Sequence, residues 1–395
     1  MHHMNTHIVE AYIAMLTEDT EHLKILSSVK SGLVKQKNVD LSDESKNIVA
    51  HSVKKFAPNY DMKQKHPTSS IVHQYVIGKA NELAASGNAD YKKSVFGAYK
   101  KAHPDLVGDS KHYDDLVDKS YHAASAETQK QFHTLPIATT FHHGDIEYKS
   151  SGHMVDDVHK NHHLAVFRGG DTHTHLGSIP GKKVNANEMF RAVHDFYGHA
   201  LHGNQFGPKG EEIAWNVHHQ MYSPLARPAV TAETRGQNSQ VNYTTHNLKN
   251  LSDMKHHRLA ANNATDPIEK QKHLDKLKEI GHNFNYAKQV ASILPHEMNS
   301  PSYSGEVPHS IKHLLHDKNA DTNSNYDMKK DHLHLSALAK LHAPENHVEV
   351  AKKLAQVHGY KDVVTVNESV LPVHDILGDS DYAHLRSKKR YNFVK

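Results

Sequence analysis

The residues best equipped for chemistry lie between Asn185 and Tyr243. This stretch holds the chain's only tryptophan, Trp215, and three of its seven arginines, Arg191, Arg227 and Arg235. Lysine does nearly all the cationic work elsewhere, so arginine here points to fixed, forked hydrogen bonding rather than solubility. In order come His194-Asp195-Phe196-Tyr197-Gly198-His199, then Glu211-Glu212, then Glu233-Thr234-Arg235-Gly236-Gln237-Asn238-Ser239. Imidazole and carboxylate together suit iron or zinc. Zinc-protease helices space two histidines four apart on one face. Here they stand five apart, roughly 140° around an ideal helix, so both reach one ion only if the backbone distorts near Gly198. His202, three beyond His199, is an alternative or additional donor.

Three short helices are expected to position these groups. Asn185 with Glu188 three residues later reads as a capping box. Met189, Phe190, Val193, Phe196 and Tyr197 then form an apolar stripe that Gly198 bends or ends. A second helix, Gly210 to Tyr222, puts Glu211, Ala214 and His218 on one face and Glu212, Trp215 and His219 on another, and Pro224 limits it. In the third piece, Leu225 to Asn238, apolar text precedes the polar run. Some of those polar groups must therefore be buried and bonded to one another.

HDFYGH followed by Glu233 resembles the HELLGH…Glu arrangement of the iron-dependent aromatic amino-acid hydroxylases. The resemblance covers only His194 to Glu233. It implies His194, His199 and Glu233 as ligands that hold Fe(II) on one face. From about Tyr113 to Pro295, the order FHTLPI…YKSSGHMVDDV…LAVFRGG…FRAVHDFYGHA…FGPKGEEIAW…MYSPLA…ETRGQNS…YAKQVASILP is similar to a group of uncharacterised phage and bacterial proteins. That similarity implies a phage origin and no particular activity.

The sharp expectation is a hydroxylase- or oxygenase-like enzyme with Fe(II) on two histidines and a carboxylate, positions remaining open for O2 and a polar small-molecule substrate. Asp195 would orient a histidine or hold a water. Arg235, Gln237 and Asn238 would fix the substrate, with Trp215 and Tyr197 as walls. A Zn2+ hydrolase on the same ligands is an alternative, with Glu211 or Glu212 as general base. The competing expectation is non-enzymatic: a phage structural or virion-associated protein with viral protein partners. Its polar cluster would lock three helices together, with Glu233 paired to Arg191 or Arg227.

Composition bounds these readings. At 37% hydrophobic and 23% charged residues, a polar, loop-rich globular chain fits. With no cysteine, disulfides, thiolate sites and cysteine nucleophiles are excluded. No signal peptide or membrane-length apolar run is read, so the host cytoplasm or the virion is the expected location. A net charge of +3 with neutral histidines is too balanced to argue for nucleic acid. The 40 histidines make any one His pair weak testimony for a ligand set. The pattern predicts a mainly α fold: a helical N-terminal region over 1–65, a helical core with a small β element over 66–297, and a linker with C-terminal helices over 298–395. Leu135–Phe141 and Leu164–Phe167 are expected to pair as a small sheet, with a helix between them. Phe284–Leu294 is read as a last core helix, and Val363–Val366 as a strand.

Overall fold

The computed structural model describes Phe56 and residues 69–357, apart from 144–147, 149–150, 169–172, 245–246, 283–285, 304 and 316–327. Except for Phe56, the expected N-terminal region over 1–65 lies outside the described residues. So do the expected strand Val363–Val366 and the basic run Arg386–Arg390.

Capping chemistry sets the helix starts. Ser70 accepts from the His73 amide at the head of α1 (Ile71–Ala85), and Asn88 accepts from Tyr91 at the head of α2 (Ala89–Ala102). α3 (Tyr113–Phe132) opens with Asp114 and Asp115, which complement its positive end. β1 (Ala138–His142) and β2 (His163–Phe167) pair in parallel, Ala138 beside His163 and His142 beside Phe167. Parallel neighbours need a crossover, and α4 (Ser151–Asn161) supplies it. The sheet and α4 bury Met154, Val155, Val158, Leu164 and Val166 against Val193, Phe196 and Tyr197. The fold is mainly α with this one small sheet among the described residues.

Besides the single turns Pro104–Val107 and Lys312–Leu315, the remaining described α-helices are α5 (Ala186–His194), α6 (Pro208–His218), α7 (Arg227–Thr231), α8 (Gln237–Tyr243), α9 (Leu248–Asn263), α10 (Pro267–His282), α11 (Met328–His342) and α12 (His347–Val357). α9 and α10 flank the Asp266-Pro267 break that the sequence marks. α11 and α12 pack back on α1 through Leu335, Leu338, Val350 and Leu354 against Ile71 and Tyr75. Among the described residues, no helix is long and apolar enough to cross a membrane.

One expected helix is absent. Residues 286–295 form no regular secondary structure and are partly buried. A buried segment of this kind must still satisfy its backbone, and tyrosines of α2 and α3 do this. Tyr91 and Tyr113 donate to the Ile293 carbonyl at 2.9 and 3.1 Å, and Tyr99 to Leu294 at 3.0 Å. The Ile293 amide in turn donates to Tyr113 Oη at 2.9 Å, and the Ser292 amide to Tyr121 Oη at 3.3 Å. The periodicity shows apolar residues that need burial, but not the hydroxyls that replace helical bonds.

Candidate metal centre

The Asn185–Glu188 capping box forms, each side chain accepting from the other residue's amide. It starts α5 in a register that buries Met189, Phe190, Val193, Phe196 and Tyr197. At His194 the winding changes: Asp195–His199 is a π turn, and the Ala200 amide donates to the Asp195 carbonyl five residues back. The wider turn brings His199 round beside His194, with ring centroids 5.0 Å apart. This is the distortion that the five-residue spacing demands. Gly198 lets α6 approach, since a Cβ there would lie 3.0 Å from Ala214 Cβ and 3.3 Å from its carbonyl oxygen. Glu211, one turn before Ala214 on the same face, therefore lies over both imidazoles.

The three donor atoms lie within 4.8 Å of one another. Glu211 Oε2 stands 3.4 Å from His194 Nε2 and 3.3 Å from His199 Nε2. A charge-assisted N–H···O bond is usually shorter, about 2.7–2.9 Å. A tetrahedral ion with bonds of about 2.0–2.1 Å instead spaces its ligands about 3.3–3.4 Å apart. The outer nitrogens fix the tautomers. His199 Nδ1–H donates to the Asn204 carbonyl at 3.3 Å. Gln131 donates to the Met221 carbonyl, so its Oε1 accepts from His218 Nε2–H at 3.1 Å. His218 Nδ1 is then the acceptor for His194 Nδ1–H at 3.4 Å. Both Nε2 atoms thus face one carboxylate oxygen, a contact that a proton on one imidazole or a cation between the three groups would satisfy.

The charges agree with this. Burial pushes the Glu211 carboxyl up, but the imidazoles of His199 and His194 outweigh it and hold the group down at about 2. Burial lowers His199, yet the carboxylates of Glu211 and Asp195 override it and raise its pKa. Burial raises the Asp195 carboxyl, against the pull of His199 and His194. Burial, aided by His194, holds His218 well below the usual histidine range and therefore neutral. The cluster opens at the Glu211 side, where that side chain is 26% exposed against 1% for His199.

Glu233 is not part of this group, which corrects the ligand set implied by the hydroxylase resemblance. Its carboxylate accepts from Tyr121 Oη at 2.6 Å, His173 Nε2 at 3.1 Å and Gln237 Nε2 at 2.7 Å. His173 is locked as the donor because its Nδ1 accepts the amides of His175 and Leu176. Glu233 sits on a second π turn, Ala232–Gly236, between α7 and α8, and three donors occupy its oxygens. Arg227 does not clasp it, but donates to the carbonyls of Tyr222 and Gln220.

Arg235 and Glu212, expected to fix substrate and to act in catalysis, lie away from the His-His-Glu cluster. Both lie on the other side of α6 with Trp215. Arg235 is fully buried, and each of its N–H groups is engaged. Glu212 takes two at 3.2 and 2.7 Å, Ser69 one at 2.8 Å, and the carbonyls of Met298 and Ser300 two at 2.7 and 3.3 Å. The guanidinium stacks 4.0 Å over Trp215. No N–H remains for a substrate, so this is a structural clasp. Gln237 is held by Glu233, and Asn238 by the Pro208 carbonyl at 3.2 Å. Asp195 does lie beside both histidines of the cluster, whereas His202 is outside the group. Sequence reasoning missed Glu211 as the third member of the cluster and His218, Gln131 and Asn204 as partners of its histidines. The signal was the helical face shared by Glu211, Ala214 and His218.

No protein-family model, curated protein or solved structure matches the chain. The fold and the site together define a mainly α protein carrying a His-His-Glu cluster at metal-binding separation.

Proposed function

We propose that the chain is a mononuclear metalloenzyme whose divalent ion sits on His194 Nε2, His199 Nε2 and Glu211 Oε2. We further propose that it oxidises a polar small molecule entering from the Glu211 side. The observation that supports this is the convergence of two imidazole lone pairs and a carboxylate oxygen, with both ring protons fixed on the far nitrogens. Two histidines and one carboxylate are the donor set of non-haem iron(II) oxygenases, which keep positions open. Iron bound there supplies oxygen activation. The chain's own residues hold the geometry: Gln131 and His218 aim His194, and the Asn204 carbonyl aims His199. Phe190 stacks on His194 at 6.2 Å and Phe206 meets His199 edge-on at 5.1 Å, screening the imidazoles from water.

Hydrolytic zinc is the second reading, favoured by the 3.3–3.4 Å ligand spacing. In this reading Glu211 is a ligand and Glu212 is bound to Arg235, so neither serves as the general base; Asp195 is the neighbouring carboxylate. Anaerobic titration of metal-free protein with Fe(II) and with Zn(II), followed by calorimetry, separates the two readings. One tight Fe(II) site that yields oxygen consumption on exposure to air supports the first reading. A tight site for Zn(II) alone favours the second, and no stoichiometric site for either ion overturns both.

A further inference from the structure

A second cluster with the make-up of a catalytic site lies on the sheet and shares no residue with the His-His-Glu group. Thr140 is exposed on β1, and its Oγ1 lies 2.8 Å from His163 Nε2. His163 Nδ1 lies 2.7 Å from Asp157 Oδ2. The Asp157 carboxylate is held in turn by Tyr148 Oη at 2.5 Å and Asn161 Nδ2 at 2.8 Å. Hydroxyl, imidazole and carboxylate thus follow one another in the order that nucleophilic catalysis requires. His142 Nε2, on the same face of β1, reaches Thr140 Oγ1 at 2.6 Å.

The proton positions follow from these partners. Asp157 accepts the Nδ1 proton of His163, and in the Nδ1–H tautomer the Nε2 lone pair faces the Thr140 hydroxyl. His142 then donates to Thr140 Oγ1 from its own Nε2. An exposed threonine can bond to water and has no need of a base that is itself oriented by a carboxylate with two further donors. The parallel register places His163 opposite Ala138, diagonal to Thr140 across the two strands, where its ring meets the hydroxyl.

We propose that Thr140 is a base-activated nucleophile that takes an acyl group from activated carboxylic esters. In the step, Thr140 Oγ1 bonds to the acyl carbon and the ester C–O bond breaks. The hydroxyl proton passes to His163 Nε2 and on to the leaving oxygen. Water then releases the acyl group as the acid by the reverse proton path. His142 Nε2–H, 2.6 Å from Thr140 Oγ1, is a donor for charge developing on the acyl oxygen. Thr140 is exposed, so the substrate class is set by leaving-group activation.

The test incubates the full chain with p-nitrophenyl acetate, reading nitrophenolate release and locating the adduct by peptide mass spectrometry. An acetyl group on Thr140 is expected. It should be lost in Thr140→Ala, retained in Thr140→Ser, and formed about 10²–10⁴-fold more slowly in His163→Gln, the usual loss on removing a general base. Asp157→Asn should slow it in the same direction, with circular dichroism confirming the fold of both variants. A chelator should leave the rate unchanged, which separates this activity from the metal centre. Acetylation only at lysines or at other histidines, or a rate untouched by Thr140→Ala or His163→Gln, overturns the proposal.

Discussion

Glu212→Gln removes the counter-charge of Arg235 while preserving size and shape. Arg235 has no exposed surface, lies 4.0 Å over Trp215, and places two of its N–H bonds on Glu212. Solvent cannot take over when the carboxylate is neutralised, because the other donors end on Ser69 and on the carbonyls of Met298 and Ser300. Breaking one partner of such a buried pair costs about 3–5 kcal/mol. At about 2–4 °C per kcal/mol for domains above 150 residues, the melting temperature should fall by roughly 6–20 °C. Glu212 turns away from Glu211's side of α6, so the variant should keep its metal well below the new transition. Calorimetry paired with metal analysis reads both quantities. An unchanged melting temperature with lost metal or lost turnover would refute the structural reading and return Glu212 and Arg235 to the reacting centre.

Three further outcomes are expected. In the metal-free protein, His199 is raised above its ordinary range, so its pairing with Glu211 stabilises fully at lower pH and fades as pH rises through the raised value. Glu211, held at about 2, adds stability present above the ordinary carboxylate range and lost as pH falls toward 2. A divalent ion competes with the proton on His199, so metal affinity should weaken as pH falls through the raised value; denaturation midpoints against pH, with and without metal, check both signs. Gly198→Ala places a methyl 3.0 Å from Ala214 Cβ, which should cost about 1–3 kcal/mol of overpacking and weaken metal binding by about 10–100-fold, read by urea unfolding and metal titration. Tyr113→Phe removes both bonds to Ile293 and should destabilise the fold by about 1–3 kcal/mol without altering metal affinity, again by urea unfolding and titration.

Much of the fold was legible because the local signals agreed with the tertiary outcome. The Asn185–Glu188 box marks the start of α5, and the two faces of α6 follow from helical spacing alone. The sheet runs around Ala138–His142 and His163–Phe167 stand out by their β-branched and apolar content. The π turn did not: five-residue spacing shows that a distortion is needed, but its form depends on Gly198 meeting Ala214 from another helix. The hydroxylase resemblance implies Glu233 as a ligand, and a likeness of motif order is blind to the helix crossing that puts Glu211 over the histidines. Residues 286–295 carry helix-like apolar text, yet their backbone partners are tyrosine hydroxyls more than 170 positions away. No local pattern encodes that.

The central claim is that one ion is held by His194, His199 and Glu211, and the most direct measurement is metal content per chain after purification without a histidine-affinity step. Near-stoichiometric iron or zinc is predicted in the parent and in Glu233→Ala, and loss of it in Glu211→Ala. Metal lost from Glu233→Ala and kept in Glu211→Ala, or absent from the folded parent after reconstitution, would contradict the account.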